Sequence, residues 1–385
     1  MKRYYLLFEL KMLIHNRKNW LLGLALVLFF PLYHGQYSQQ PIESLKDKKN
    51  EEADQYNSIF KAFPEEMRET EEGKKIYDNL TEQASLVNMQ RFYLWDDTQD
   101  DDYIEDGLRL NELRLELHAA GNKGVHPSFV VSEEAIEKEL ALLNYYRAKD
   151  VPVVSDPFVA SQYVPAALDL ISGIPFSLFV LLIGSTMLLH DRLNRSVMSG
   201  LPIPYMQRVG AKVGLHLITI TVFLSAAILI GWVSTGLKAG WGSAVSPVLL
   251  YSGGTYTAVS AVRYVLLQSV SFLLIGLLLL VLLLLLQELT ANTYAAVLAI
   301  VSLLLLPSLL YAAGVPPVGW LSPLAMADTG AVLSGEAAIR FGSGSMDYVH
   351  AFFWFIGLTL FLLAVLYTLN RLRYVRRTSV QRIVN

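Results

Sequence analysis

The sequence predicts an all-α polytopic membrane protein with six transmembrane helices, an N-terminal interfacial helix and a mostly helical external domain. Three observations predict this fold class. Of the 385 residues, 53% are hydrophobic and only 17% are charged, whereas an average soluble domain has about 25% charged residues. Long charge-free stretches alternate with short basic segments, and one block near the N-terminus holds most of the acidic residues. This distribution is typical of a membrane protein that carries one soluble insertion.

Six stretches with at most one charged residue, Asp169 in the second, are long enough to cross a bilayer, for which a helix needs about 20 apolar residues. The predicted transmembrane helices cover 19–36, 165–190, 213–234, 264–287, 293–313 and 349–369. The first of them follows a basic N-terminus and has no small-residue cleavage site after it. We therefore interpret it as an uncleaved signal anchor, and we expect a multi-pass protein of the cell membrane.

The distribution of lysine and arginine predicts the orientation of these helices. If the N-terminus lies inside, the inner segments 1–18, 191–212, 288–292 and 370–385 together hold 14 of these residues, and the short outer loops hold three. Short cytoplasmic loops carry an excess of Lys and Arg. We therefore expect both termini to be cytoplasmic and residues 37–160 to be external.

The long polar insertion differs from the rest of the chain in charge. Residues 34–160 have a net charge of −13 and the remainder has +10, which indicates two different surroundings. Helical periodicity predicts helices over 45–63, 64–95, 104–120 and 132–149, with Ser132 as an N-cap. Nucleic-acid binding needs a basic surface, so this acidic insertion does not suit a nucleic-acid partner.

A run of acidic residues lies between Asp96 and Asp106. An EF-hand loop needs Gly at position six and Glu at position twelve, but counting from Asp96 these positions hold Asp101 and Gly107. We therefore expect a solvated acidic turn and no metal site. The clustered acids would also attract a cationic peptide.

The first eighteen residues predict a short amphipathic helix that lies flat at the membrane surface. Its apolar positions include Leu6, Leu10 and Leu13, and its basic residues include Lys11 and Arg17, which would face anionic lipid. Two roles stay open for this helix. It is either a charge anchor that only sets the topology or a docking surface for a partner.

Residues 314–348 follow the fifth predicted span. The apolar part, 314–327, is interrupted by Pro316, Pro317 and Pro323 and is too short to cross the membrane. Irregular backbone at membrane depth is tolerated where protein or a water-filled cavity covers it. A re-entrant or interfacial element is therefore predicted here.

The inner segment 191–212 follows the second predicted span. From His190 to Gly214 the chain reads HDRLNRSVMSGLPIPYMQRVGAKVG. Apolar residues lie between the charges, and an exposed apolar cluster of this kind indicates a protein contact. The alternative is an ordinary basic loop that its charges hold inside.

This segment resembles the coupling region of bacterial ABC-transporter permeases of the type-2 (type V exporter) class. The resemblance rests on Asp191, Arg192, Gly200-Leu201-Pro202, Arg208 and Lys212. The connecting helix of that family is similar to 1–18. Its short helices after the fifth span are similar to 314–335, which ends in WLSPLAMADTGAVLSG. The insertion 37–160 departs from family members that have a small first loop, and it groups the chain with members that have a large external domain.

The resemblance implies a permease subunit of an ATP-driven exporter. The residues implied in coupling to the ATPase are Arg192, Arg195, Gly200, Leu201, Pro202, Pro204 and Arg208. The implied partners are an ABC-type ATPase subunit, a second permease copy or homologue, and membrane lipids. The implied substrate is amphipathic or hydrophobic, such as an antimicrobial peptide, a lipid or a drug.

The chain lacks the sequence patterns of an enzyme. No G-x-x-x-x-G-K-[ST] phosphate loop, HExxH or GxSxG occurs, and there are no cysteines. We therefore predict no catalytic residues, no metal and no cofactor in this chain, with ATP and Mg²⁺ bound by the partner ATPase. Secondary transporters use ionisable residues near the bilayer midplane. The predicted spans have almost none, because Asp169 and His216 lie near span ends.

Two further classes stay open. A mechanotransmission-type permease also carries a large domain after its first span, but it has four spans. A membrane sensor or scaffold would use the external domain as a receptor. Five further predicted spans beyond the anchor argue against a receptor, which needs few.

Overall fold

A computed structural model describes residues 2–40, 42–95, 99–194, 202–315 and 319–384. The described chain is mostly helical and contains seventeen α-helices. Those before the only described hairpin are α1 (Lys2–His15), α2 (Arg17–Tyr37), α3 (Leu45–Ala62), α4 (Glu65–Arg68), α5 (Glu71–Tyr93), α6 (Asp100–Ala119), α7 (Glu133–Lys149), α8 (Ala160–Ile171), α9 (Ile174–Gly184), α10 (Leu189–Leu193) and α11 (Tyr205–Ala239).

The hairpin and the remaining helices complete the described elements. They are β1 (Pro247–Ser252), β2 (Thr255–Ser260), α12 (Ala261–Thr290), α13 (Thr293–Ala312), α14 (Ser322–Ala325), α15 (Thr329–Leu333), α16 (Glu336–Phe341) and α17 (Tyr348–Val384). Single 3₁₀ turns lie at Pro127–Phe129 and Gly319–Leu321.

Five helices are long and apolar enough to cross a membrane: α2, α11, α12, α13 and the Tyr348–Leu372 part of α17. A sixth candidate is the pair α8 and α9, which together pass the same test but are bent by 65° at their junction. The described chain therefore has five candidate spans, or six if the bent pair counts as one. These helices confirm the prediction of a mostly helical, polytopic, membrane-embedded protein.

The predicted second span, 165–190, is broken, unlike the continuous helix that the sequence predicts. Its hydropathy is continuous, but Gly173 adopts φ +65° and ψ −123°, a backbone conformation that interrupts a helix and that glycine adopts readily. Pro175 follows in the first turn of α9, where its missing N–H costs no hydrogen bond. The backbone chemistry of two residues thus divides the apolar stretch.

The chain forms two compact units. The first unit comprises Met1–Tyr33, Ala166–Gly231 and Val265–Asn385, and the second comprises His34–Pro165 and Trp232–Tyr264. In the first unit, α12 is the most deeply buried of the five candidate spans. The first unit thus contains most of the apolar helices, and the second contains the acidic insertion and the hairpin.

Helices of the first unit approach one another closely at glycines. A Cβ at Gly23 would overlap the ring of Phe223, and one at Gly231 would overlap the ring of Phe30. These contacts place α2 against α11. A Cβ at Gly184 would lie 2.8 Å from a methyl group of Leu280 on α12. Small residues at such contacts let helix backbones pack by van der Waals interaction, which drives helix association in lipid.

The insertion in the second unit is helical, as predicted. Helices α3, α6 and α7 begin and end within four residues of the predicted boundaries, whereas the predicted helix 64–95 is divided into α4 and α5. Ser132 caps α7 as predicted, because its Oγ accepts a hydrogen bond from the N–H of Ala135 at 3.2 Å. The buried side chains that form the core of this bundle include Tyr56, Leu80, Val87 and Leu110.

Sequence analysis did not predict the antiparallel hairpin of β1 and β2. Its turn is Gly253-Gly254, with φ +64° and +84°, and two positive φ values in a two-residue loop are characteristic of a type I′ turn. Helix α7 holds the second strand. The carboxylate of Glu137 accepts the N–H of Tyr256 at 2.9 Å, and Lys138 lies over the Tyr256 ring.

The first helix forms as predicted, but the single apolar face predicted for it does not. Tyr5, Glu9 and Leu13 face inward, whereas Leu6 and Ile14 are exposed. Apolar side chains thus occur on both sides of α1. The physical reason is that Glu9 forms a buried ion pair, described below, so that an acidic residue occupies the inner face.

Residues 319–341 form short helical turns between α13 and α17. Helices α14 and α15 both contact α17. Thr329 and Leu333 are almost fully buried. This segment packs against other parts of the first unit over much of its length. Irregular backbone beside apolar helices needs such cover by protein.

Asp100, Asp101 and Asp102 occupy the first turn of α6. Carboxylates at this position interact favourably with the helix dipole. The Asp100 carboxylate also accepts the N–H of Val153 at 3.2 Å. Asp96 and Asp97, which complete the predicted acidic turn, lie outside the described residues.

Candidate functional site

A buried lysine forms the centre of the candidate site. The Nζ of Lys212 lies 2.8 Å from Oε1 of Glu9 and 3.0 Å from Oδ1 of Asp191. It also donates a hydrogen bond to the carbonyl of Met187 at 3.0 Å. The side chains of Lys212 and Glu9 are 2% and 6% exposed. We call Lys212, Glu9 and Asp191 the Lys212 cluster.

The cluster joins three separate parts of the chain. Glu9 comes from the inward face of α1, Asp191 from α10 and Lys212 from α11. Removing one partner of a buried ion pair typically costs about 3–5 kcal/mol, because the other charge is left buried and uncompensated. The cluster therefore constrains where α1 and α10 lie relative to α11.

Tyr5 lies one helical turn before Glu9, on the same inward face of α1. Burial, together with the neighbouring Glu9 carboxylate, raises the pKa of the Tyr5 phenol far above its usual value. The guanidinium of Arg208 acts in the opposite direction on the same phenol. Arg208 is therefore close to the cluster, and Tyr5 stays protonated there.

Arg192 binds the carboxyl end of α12. Its guanidinium donates hydrogen bonds to the carbonyl of Ala291 at 2.8 Å and to the carbonyl of Gln287. The Gln287 amide in turn donates to the carbonyl of Ser185 at 3.1 Å. Arginine side chains commonly satisfy the last carbonyls of a helix in this way. Arg192 is therefore a positioning residue for the turn between α12 and α13.

The junction of α1 and α2 is fixed to the end of α9. The Nζ of Lys18 donates to the carbonyl of Leu182 at 2.6 Å and to Oγ of Ser185 at 2.7 Å. The Asn16 amide donates to Oγ1 of Thr186 at 3.4 Å. These bonds and the Lys212 cluster form one polar network that surrounds the end of the bent helix pair.

The predicted coupling residues lie in different surroundings. Arg192 belongs to the polar network, Arg208 lies close to Tyr5, and Pro202 and Pro204 are exposed in front of α11. The Pro204 carbonyl accepts the N–H of Arg208 at 3.2 Å and so begins α11. Arg195, Gly200 and Leu201 lie outside the described residues. The exposed prolines and the adjacent undescribed segment follow α10 directly in the chain.

The predicted interfacial residues are also divided. Leu13 is buried and Leu10 is half-buried, whereas Leu6, Lys11 and Arg17 are exposed. Sequence reasoning missed Glu9, although a single acid among basic and apolar residues was a usable signal. It also missed Gln287, which no sequence pattern distinguishes.

A second polar contact lies at the break between α8 and α9. The hydroxyl of Ser172 lies 2.5 Å from Oδ1 of Asp328. The same carboxylate oxygen accepts the N–H of Ala331 at 3.3 Å and caps α15. A Cβ at Gly330 would lie 2.8 Å from the Cα of Asp169. The short helix α15 is thus held closely against the broken helix.

These features define the class of the protein as a polytopic, membrane-embedded helical protein with a polar network at the ends of its apolar helices. No family model matches the chain, and neither a curated protein nor a solved structure shows detectable similarity to it. The resemblance to type-2 ABC permeases therefore rests on the residues quoted above, and it stays a prediction.

Proposed function

We propose that this chain is the permease subunit of an ATP-driven ABC exporter whose ATPase is a separate polypeptide. The observation that carries the proposal is the Lys212 cluster. It links the N-terminal helix, the helix after the bent pair and the start of α11, and it directly flanks the segment predicted to contact an ATPase. A displacement of that segment would be transmitted to three helices together.

The number of candidate spans supports this proposal over the four-span mechanotransmission class. Five helices pass the length and hydropathy test without the bent pair. Counting the bent pair gives the six spans of the type-2 class. The same number disfavours a membrane sensor, since a receptor needs few spans.

The orientation is part of the proposal. Both termini lie in the cytoplasm, α1 lies at the inner membrane surface, and residues 37–160 lie outside the cell. The excess of Lys and Arg in the inner segments supports this arrangement. The short helices α14–α16 then form the re-entrant or interfacial element on the outer side.

The proposed mechanism needs two permease copies, or one copy and a homologue, with a substrate path between them. Binding of ATP closes the two ATPase subunits, which push on residues 191–212. Because the polar network ties this segment to α1, α9 and the end of α12, the helices tilt together. An amphipathic or hydrophobic substrate then leaves toward the outside.

The proposal is tested by isolating the tagged full-length chain from its native membranes and measuring associated ATP hydrolysis. We expect hydrolysis that vanadate inhibits and that exceeds the activity of the chain purified alone. Deletion of 196–206 and the milder Pro202→Ala/Pro204→Ala variant should both reduce it. Lys238→Met serves as the matched control, since Lys238 is an exposed lysine at the other end of α11.

Two outcomes contradict the proposal. One is an absence of associated ATP hydrolysis from membranes in which the chain is abundant. The other is associated hydrolysis that survives both changes in the coupling segment. Hydrolysis by the isolated chain would contradict the assignment of the ATPase to a partner.

A further inference from the structure

The second unit contains a cavity of about 310 Å³. Cavities that bind small molecules have volumes of about 300–1,000 Å³ and are mostly apolar. This cavity lies between the start of α3, one face of α7, the segment before α8 and strand β1. Its apolar wall includes Leu45, Leu142, Leu143, Val153, Val154 and Leu249.

The Glu139 carboxylate in this wall is already neutralised. The Glu139 carboxylate lies 2.9 Å from Nζ of Lys49 and 2.8 Å from the guanidinium of Arg114. Glu52 pairs with the same two cations, so that the four side chains together carry no net charge. The inner wall therefore favours an uncharged, apolar group.

The exposed charged residues of the lining, unlike the buried ones, do not neutralise one another. Glu43, Lys48 and Asp156 contribute one net negative charge. The whole insertion is strongly acidic, which raises the local concentration of cations. A ligand that combines an apolar chain with a positive group matches both the wall and the exposed lining.

We propose that this cavity binds the apolar chain of a cationic amphiphile, with its positive group near Glu43 and Asp156. One wall, 153–157, is separated from the start of α8 by two residues. A ligand bound there contacts the segment that leads into an apolar helix. The proposal rests on residues of the second unit alone, and it stands whether or not the chain recruits an ATPase.

The test uses the full chain, without any ATPase, in nanodiscs of neutral phosphatidylcholine. Two photoreactive probes carry the same diazirine-bearing decyl chain, one with a trimethylammonium group and one with a sulfate group. Labelled peptides are mapped by mass spectrometry. We expect the cationic probe to label 142–157 and 247–249, and we expect unlabelled decyltrimethylammonium to compete.

Variants that fill the cavity sharpen the test. Val153→Trp and Val248→Trp place a large side chain in the lining, whereas Val245→Trp changes an exposed valine outside it. Each filling variant should reduce labelling of these peptides about tenfold, which corresponds to about 1.4 kcal/mol of binding free energy. The control should label like the unaltered chain.

Labelling that both filling variants leave unchanged overturns the proposal. If the sulfate probe labels these peptides as strongly as the trimethylammonium probe, the assignment of a cationic ligand is overturned. Because the two filling variants lie on different walls, a folding defect in one leaves the other as the test. Circular dichroism and gel filtration identify such a defect, and failure of the ATPase experiment affects none of these outcomes.

Discussion

The ammonium group of Lys212 lies 2.8 Å from the Glu9 carboxylate, although one residue is on the first helix and the other is near the start of α11. Both side chains are almost completely buried. A second carboxylate, that of Asp191, approaches the same ammonium group. One lysine therefore compensates two acids from different helices.

Replacement of Lys212 by methionine should lower the unfolding free energy of the chain in detergent by about 3–5 kcal/mol, because the buried Glu9 carboxylate and the half-buried Asp191 carboxylate lose their counter-ion. Denaturant unfolding measures this change. Lys238→Met, at an exposed position of the same helix, should have little effect. Glu9→Gln combined with Lys212→Met should recover part of the loss. A Lys212→Met chain as stable as the unaltered one would exclude a structural role for the ion pair.

We expect Glu139 to make the insertion sensitive to acid. Burial alone would raise the pKa of Glu139, but Lys49 and Arg114 outweigh it and lower the pKa from 4.5 to about 2. A carboxylate whose pKa is lower in the folded state contributes stability above its unfolded pKa, and this stability is lost as pH falls. We therefore expect the loss to begin near pH 4.5 and to continue toward pH 2.

Thermal unfolding followed by circular dichroism between pH 5 and 3 checks this expectation. The Glu139→Gln chain should be less stable at pH 5 and should lose less stability on acidification than the unaltered chain. Glu105→Gln, an exposed change on α6, is the matched control and should follow the unaltered chain. Equal acid dependence in the Glu139→Gln and unaltered chains would refute the assignment.

The bend between α8 and α9 depends on Gly173. Alanine at this sparsely populated φ and ψ is strained by about 1–3 kcal/mol. Its Cβ would also lie 3.0 Å from the Asp328 carboxyl carbon. Gly173→Ala should therefore destabilise the chain, as measured by thermal unfolding. Gly357→Ala, in an open helical position of α17, should be neutral or slightly stabilising. If Gly357→Ala lowered the thermal stability more than Gly173→Ala, this account of the bend would be contradicted.

The proposed orientation can be tested with single cysteines, since the chain has none of its own. Ser58→Cys, in the insertion, and Ser345→Cys, before α17, should react with a membrane-impermeant maleimide on intact cells. Thr290→Cys, at the end of α12, should react only after permeabilisation. All three positions are exposed, and the unaltered chain is the control. Protection of Ser58→Cys in intact cells would reverse the proposed topology.

Hydropathy and local capping chemistry were sufficient to predict most helices. The apolar stretch at α12 and the N-cap at Ser132 are properties of neighbouring residues, so they can be read from the sequence. The Gly253-Gly254 turn was also a local signal, flanked by residues that favour strands, but the loop was not interpreted as a hairpin. The break at Gly173 was missed because the apolar run around it is continuous.

The candidate site was only partly predictable, because its contacts join residues far apart in the chain. The coupling role predicted for Arg192 stays a prediction, and the sequence did not indicate that its guanidinium binds carbonyls at the end of α12. Glu9 was assigned to a surface helix, yet it is buried against Lys212. Which distant charge compensates which depends on the packing of the helices, and periodicity within one helix does not contain this information.

The last helix, α17, runs without interruption from Tyr348 to Val384. At about 1.5 Å per residue it is about 55 Å long, whereas the hydrocarbon core is only about 30 Å thick. In the proposed topology, its basic end, beginning at Arg371, would therefore extend beyond the membrane. A small change in tilt within the lipid becomes a displacement of several ångströms at the tip.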